Sequence, residues 1–178
     1  MPRIQPLKVD EATGKSKELL ESVQAKFGMV PNVLGGMANG PALLQGYLGL
    51  GAALDEGSLS LQLREKIALA VSQVNECNYC VAGHSMIGAM VGLTPDEIVE
   101  SRKGPSSDEK TEAAVQLARA LAEKRGRVSD EDVQKVRGAG YSDGEIAEIL
   151  ASVLQTLFTN YFNHIAETDL DFPEAPPL

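Results

Sequence analysis

The stretch SDGEIAEILASVLQTLFTNYFNHI, residues 142–165, decides the fold class. Ser142-Asp-Gly-Glu145 is a capping box, in which a serine side chain and a glutamate three residues on satisfy each other's free backbone N–H groups. Behind it, Ile146, Ile149, Leu150, Val153, Leu154, Leu157, Phe158, Tyr161 and Ile165 recur at helical spacing. The stripe is wide, which predicts burial against several neighbours or another subunit.

The same signals recur upstream. Leu19, Leu20, Val23 and Phe27 share a helical face within residues 15–27, and Pro31 is expected to end that unit. Residues 30–36 then read as a Gly/Pro-punctuated connection. Pro41 opens a second helix, which Gly46, Gly49 and Gly51 weaken unless tight packing requires them. Ser60 is a candidate cap for a helix with Leu63, Ile67, Ala70, Val71 and Val74 on one side. A further helix is expected from about Asn78 to Val91, closed by Gly92. Thr94-Pro-Asp-Glu97 is another strong start, residues 108–125 form a charged helix, and Ser129 opens a short one. Residues 171–178 are Pro-rich and expected to be extended. About eight helices and no credible strand predict a compact all-α fold. Residues 1–178 read as a single domain, and exposed apolar surface is expected to draw copies together.

Composition narrows the function classes. Hydrophobic residues make up 43% of the 178 residues while aromatics are 4%, so Leu, Val, Ile, Met and Ala must build the core. A formal charge of -9 repels phosphate backbones and anionic lipid, which argues against nucleic acid and membrane surfaces as partners. No apolar run approaches the ~20 residues of a membrane-spanning helix. Residues 1–7 lack an apolar stretch of signal-peptide type, and a cytoplasmic location is the expectation.

The chain has two cysteines, Cys77 and Cys80. A bridge across two intervening residues closes almost no loop, so it contributes little stability. In a reducing compartment such a pair points to thiol redox chemistry or metal ligation. Cys77, Cys80 and His84 lie at offsets that share one helical face. The helix N-terminus favours a thiolate, and His84 can act as base toward a sulfur one turn away. By position, Cys80 is the attacking thiol. Cys77, nearer the helix start and expected to be more exposed, resolves the sulfenic acid that forms. A thioredoxin-like site would assign these roles the other way. Zinc would require a fourth ligand, and the other histidine, His164, offers no paired site. No metal or cofactor is therefore expected. Glu65, read alone, is a solvated carboxylate between Arg64 and Lys66. Tyr161, Asn163 and His164 read first as packing and capping residues.

At these positions the sequence resembles the alkylhydroperoxidase D-like branch of the carboxymuconolactone decarboxylase family. The matching pattern is Leu63-Arg-Glu65, eleven residues, Cys77-Asn-Tyr-Cys80, three residues, His84, then Gly92. It extends to Gly28-Met-Val-Pro-Asn32 and Asn160-Tyr-Phe-Asn-His164, and covers most of the chain. The resemblance implies an all-α subunit assembled as a homotrimer or homohexamer. It implies peroxide reduction through a transient Cys77–Cys80 disulfide, re-reduced by a thiol reductant. It also implies that Glu65 and His84 deprotonate Cys80 through water, with Cys77 resolving. The founding peroxidase has a histidine where this chain has Tyr79, so that relay member is missing or replaced by a phenol. It also resembles two such units fused, whereas this chain has a single Cys-x-x-Cys. The alternatives within this fold are a disulfide carrier or redox sensor, and a non-redox lyase. The lyase branch generally lacks the cysteine pair.

Overall fold

A computed structural model describes residues 1–106 and 108–178. Among them are nine helices and no strand: α1 (Gly14–Phe27), α2 (Asn32–Met37), α3 (Pro41–Asp55), α4 (Leu61–Val74), α5 (Asn78–Met90), α6 (Pro95–Lys103), α7 (Glu109–Glu123), α8 (Asp130–Gly138) and α9 (Asp143–Ala166). The capping signals fall where the sequence places them. Ser60 Oγ accepts from the Leu63 N–H, and Thr94/Glu97 and Ser142/Glu145 form reciprocal boxes. Each such cap stabilises its helix by about 1 kcal/mol.

Two boundaries differ from expectation. α1 ends at Gly28, whose φ of 75° is left-handed backbone that glycine adopts freely, and not at Pro31. Most of residues 30–36, expected to be a connection, lies in the short helix α2. Its glycines are contact points: a Cβ on Gly35 would lie 2.9 Å from the Leu7 carbonyl oxygen, and one on Gly36 would lie 2.8 Å from the Phe162 ring. In α3, Gly51 packs against the Gln155 side chain, while Gly46 and Gly49 face open space.

α4 is the central element, packed against α5, α6, α7 and α9. That surround explains why Ile67, Ala68, Leu69, Ala70 and Val71 are buried in succession and not on one stripe. Burying an Ile or Leu side chain contributes about 1.5–3 kcal/mol, so this run anchors the fold. One apolar cluster joins α4, α7, α8 and α9 through Ile67, Leu117, Val136 and Ile149. A second joins α1, α2, α3 and the last turns of α9, through Leu20, Met37, Leu44 and Phe162, and takes in Cys77 and Cys80. The cysteine pair therefore sits in a core and not on a surface turn. No described helix is long and apolar enough to cross a membrane.

Candidate functional site

The α4–α5 corner positions the cysteines. Asn75 caps α4, Glu76 turns the chain with φ 55°, and the Cys77 N–H donates to the Ser72 carbonyl at 2.9 Å. Asn160 of α9, fully buried, locks the corner. Its Oδ1 accepts from Asn75 Nδ2 at 2.9 Å and its Nδ2 donates to Ser72 Oγ at 3.2 Å. Cys77 is the N-cap of α5, and its Sγ accepts from the Cys80 N–H at 3.4 Å. One helical turn sets the two Cα atoms 5.3 Å apart, within the span a disulfide needs, and the two cysteines are joined as one.

Cys77 and Cys80 are each 3% exposed. The expectation that Cys77 is the more exposed sulfur is corrected: α9 and the neighbouring core cover the helix start. What separates them is the cleft. Cys80 lines a mainly apolar cleft of about 280 Å³, walled by Met29, Tyr47, Met86, Met90 and Phe172, whereas Cys77 does not.

His84, one turn after Cys80, lines the same cleft. Its Nδ1 lies 2.8 Å from Glu65 Oε2 on α4. Glu65 is 8% exposed, so the solvated reading of its carboxylate is corrected: the α4–α5 interface encloses it. A carboxylate only accepts hydrogen bonds, so Glu65 places the imidazole proton on Nδ1 and leaves Nε2 as the basic nitrogen.

The Tyr79 hydroxyl is engaged away from the sulfurs. It donates to Asp171 Oδ1 at 2.6 Å and accepts from the Val33 N–H at 3.2 Å. Burial, and then the Asp171 carboxylate, push its pKa well above the ordinary phenol value. Asp171 Oδ2 also accepts from the Asn32 N–H at 2.7 Å. The next residue, Phe172, packs edge-on against the Tyr79 ring with centroids 5.3 Å apart. The irregular segment after α9 thus lies over the cysteine helix and walls the cleft.

Asn163 is the residue whose role the sequence leaves open. Its Nδ2 lies 3.2 Å from Cys80 Sγ and 3.9 Å from Cys77 Sγ. Tyr161 and His164 are exposed on the other side of α9. The available signal was a pair of asparagines, Asn160 and Asn163, one turn apart in an apolar helix. Among the described residues no group of three His, Cys, Asp or Glu side chains is placed to hold a metal ion.

Residues 41–123, which span α3 to α7 and contain Glu65, both cysteines and His84, match the profile of the carboxymuconolactone decarboxylase family. This stretch is a carboxymuconolactone decarboxylase family region. The whole chain has the alkylhydroperoxidase D-like fold. It superposes on an alkylhydroperoxidase AhpD core, an uncharacterized peroxidase-related protein from Ralstonia eutropha, with a TM-score of 0.84. Identity is 22%, over 96% of this chain and 92% of that one. A Silicibacter peroxidase-related protein gives a TM-score of 0.79 at 23% identity, over 93% and 91% of the two chains. The debrominase Bmp8 shares the fold too, with a TM-score of 0.80 at 22% identity, over 94% and 91%. A protein of this fold can therefore be a debrominase. An uncharacterized Haemophilus influenzae protein is 46% identical over 46 residues, which are 25% of this chain and 41% of that protein.

Proposed function

We propose that this protein is a thiol-dependent peroxidase that reduces hydroperoxides with Cys80 and closes the Cys77–Cys80 disulfide. The observation that carries this reading is the shared cleft. Cys80 and His84 both line it, and His84 is held by the enclosed Glu65. In the reduced protein His84 Nε2 takes the Cys80 proton, directly or through water. The thiolate attacks the peroxide oxygen, the O–O bond breaks, and the departing alkoxide takes the proton back from His84 to leave as an alcohol. Cys80 is then a sulfenic acid. Cys77 attacks its sulfur, the S–S bond forms, and water leaves with the Cys77 proton. An external dithiol returns two electrons and ends as a disulfide itself. This cycle suits a reducing, cytoplasmic compartment.

The apolar cleft walls favour organic hydroperoxides over hydrogen peroxide. Both sulfurs are buried and Cys80 is reached through the cleft, so the reductant of this cycle is a small dithiol that enters it, which weighs against a disulfide carrier that docks on another protein. Self-association as a homotrimer or homohexamer belongs to the same proposal, supported by the exposed Leu150, Leu154, Phe158, Tyr161 and Ile165 along α9.

Mass spectrometry of the reduced protein after stoichiometric tert-butyl hydroperoxide tests the proposal. The expected result is a loss of two hydrogens from the peptide holding both cysteines within seconds. A peptide that stays reduced while the alcohol product is absent sinks the peroxidase reading.

A further inference from the structure

Two asparagines face the cysteine corner from α9, and they differ in one respect. Asn160 is satisfied at both ends of its amide, by Asn75 and Ser72, as a purely structural group should be. Asn163, 6% exposed, directs its Nδ2 to the two sulfurs and leaves its Oδ1 buried without a partner. Asn163 also lines the cleft onto which Cys80 opens.

The orientation follows from the sulfurs. A disulfide sulfur carries lone pairs and no proton, so only the NH₂ side of the amide can face it favourably. When the bond is reduced, a thiolate at Cys80 accepts the same hydrogen bond with no rearrangement. A thiol at Cys80 accepts the same hydrogen bond only weakly, because its sulfur carries no charge. The site is therefore set in advance for the charged form of the sulfur, and a hydrogen bond to the charged form lowers a pKa.

We propose that Asn163 is a catalytic residue of the thiol cycle, donating through Nδ2 to the Cys80 thiolate and lowering the pKa of that sulfur. The inference rests on the dithiol reading of the site, and not on the identity of the oxidant. The thiolate it stabilises is the attacking group toward peroxide.

Other titratable groups surround Cys80. Cys77, Tyr79 and His84 share its helix, Glu65 reaches His84 from α4, Tyr47 faces the cleft from α3, and Asp171 meets Tyr79 from the segment after α9. α2 brings no titratable side chain, and His164 of α9 is exposed. All of these remain in place when Asn163 alone is changed, so its share of the shift can be isolated.

The experiment uses full-length Cys77→Ser protein, whose one thiol is Cys80, and follows the rate of alkylation by iodoacetamide against pH. No peroxide is involved. Adding Asn163→Ala should move the profile up by about one pH unit, as expected for losing one hydrogen bond to a charged group. Alkylation at pH values well below the midpoint then slows by roughly tenfold. Adding Asn163→Asp should move it at least as far, because a carboxylate repels the thiolate. Unchanged profiles in variants that still melt cooperatively overturn the proposal. Should those variants fail to fold, the Asn163 side-chain amide signals of the Cys77→Ser protein are followed by ¹⁵N NMR. They should shift with the pH midpoint of Cys80, and signals that ignore it overturn the proposal equally. A moved profile in a protein inert to peroxide keeps Asn163 and discards the peroxidase. Normal peroxide turnover with an unmoved profile does the reverse.

Discussion

Glu65 Oε2 meets His84 Nδ1 at 2.8 Å across the α4–α5 interface, between residues nineteen positions apart. The contact fixes both the tautomer and the direction of the imidazole. Glu65→Ala should leave His84 free to turn and to carry its proton on either nitrogen. Proton transfer by a positioned side chain contributes about 10²–10⁴-fold, and kcat/KM for a hydroperoxide should fall by roughly 10²-fold. Steady-state turnover with a saturating dithiol measures it. A change below threefold would remove Glu65 from the proton path.

The two cysteines should fail differently. Cys80→Ser should abolish peroxide consumption. Cys77→Ser should allow one turnover and stop at the sulfenic acid, detectable by mass after capture with dimedone. Sustained turnover by Cys80→Ser would show that the roles are reversed.

Tyr79 and Asp171 tie the segment after α9 to the cysteine helix, and the phenol keeps its proton because burial and then Asp171 raise its pKa. Tyr79→Phe removes one hydrogen bond to a carboxylate and should cost about 1.5–3 kcal/mol. Amide exchange in residues 169–176 should accelerate more than exchange in α4. Equal protection before and after the change would mean that Phe172, Asn32 and Arg102 hold the segment without the phenol.

Glu97 gives a pH signature unrelated to the sulfurs. A hydrogen bond from Lys66, followed by one from the Thr94 backbone, lowers its pKa from 4.5 to about 2. Its folded-state value is depressed, so its contribution is complete above pH 4.5 and is lost as pH falls from there through about 2. The Glu97 side chain is 36% exposed, and solvent screening limits that contribution to about 1 kcal/mol. Urea melts of Glu97→Ala and the unaltered protein should differ by this amount at pH 7 and converge toward pH 2.

The exposed apolar line on α9 should be an interface between copies. Sedimentation at micromolar concentration is expected to show a trimer or hexamer. Leu154→Glu with Ile165→Glu should shift it to monomer while the cooperative melt survives. A stable monomer of the unaltered protein would count against the assembly.

The helical fold was readable because its signals are local. The Ser142/Glu145 and Thr94/Glu97 boxes need only four residues each, and the structure places both helices where those residues point. α2 was not readable. It has six residues, and Gly35 and Gly36 look like breakers until Leu7 and Phe162 are seen pressed against them. The Cys77, Cys80 and His84 spacing was likewise legible within one helix. Glu65 was legible only through the family pattern, since its burial depends on how α4 meets α5. Cys77 looked exposed because a helix start usually is, and its cover comes from α9, 86 residues away in the contact with Asn163. The Tyr79–Asp171 bond joins residues 92 apart, a separation no periodicity reports.

The placing of Phe172 has an evolutionary consequence. Most walls of the cleft belong to helices whose other faces hold up the core, so altering them risks the whole architecture. Phe172 lies after α9, outside every helix, and yet forms part of the same wall. Mutations at this position can reshape the space in front of Cys80 with little effect on foldability. In descendants of such a protein, what the cleft accepts can drift through this segment while the cysteine helix stays fixed.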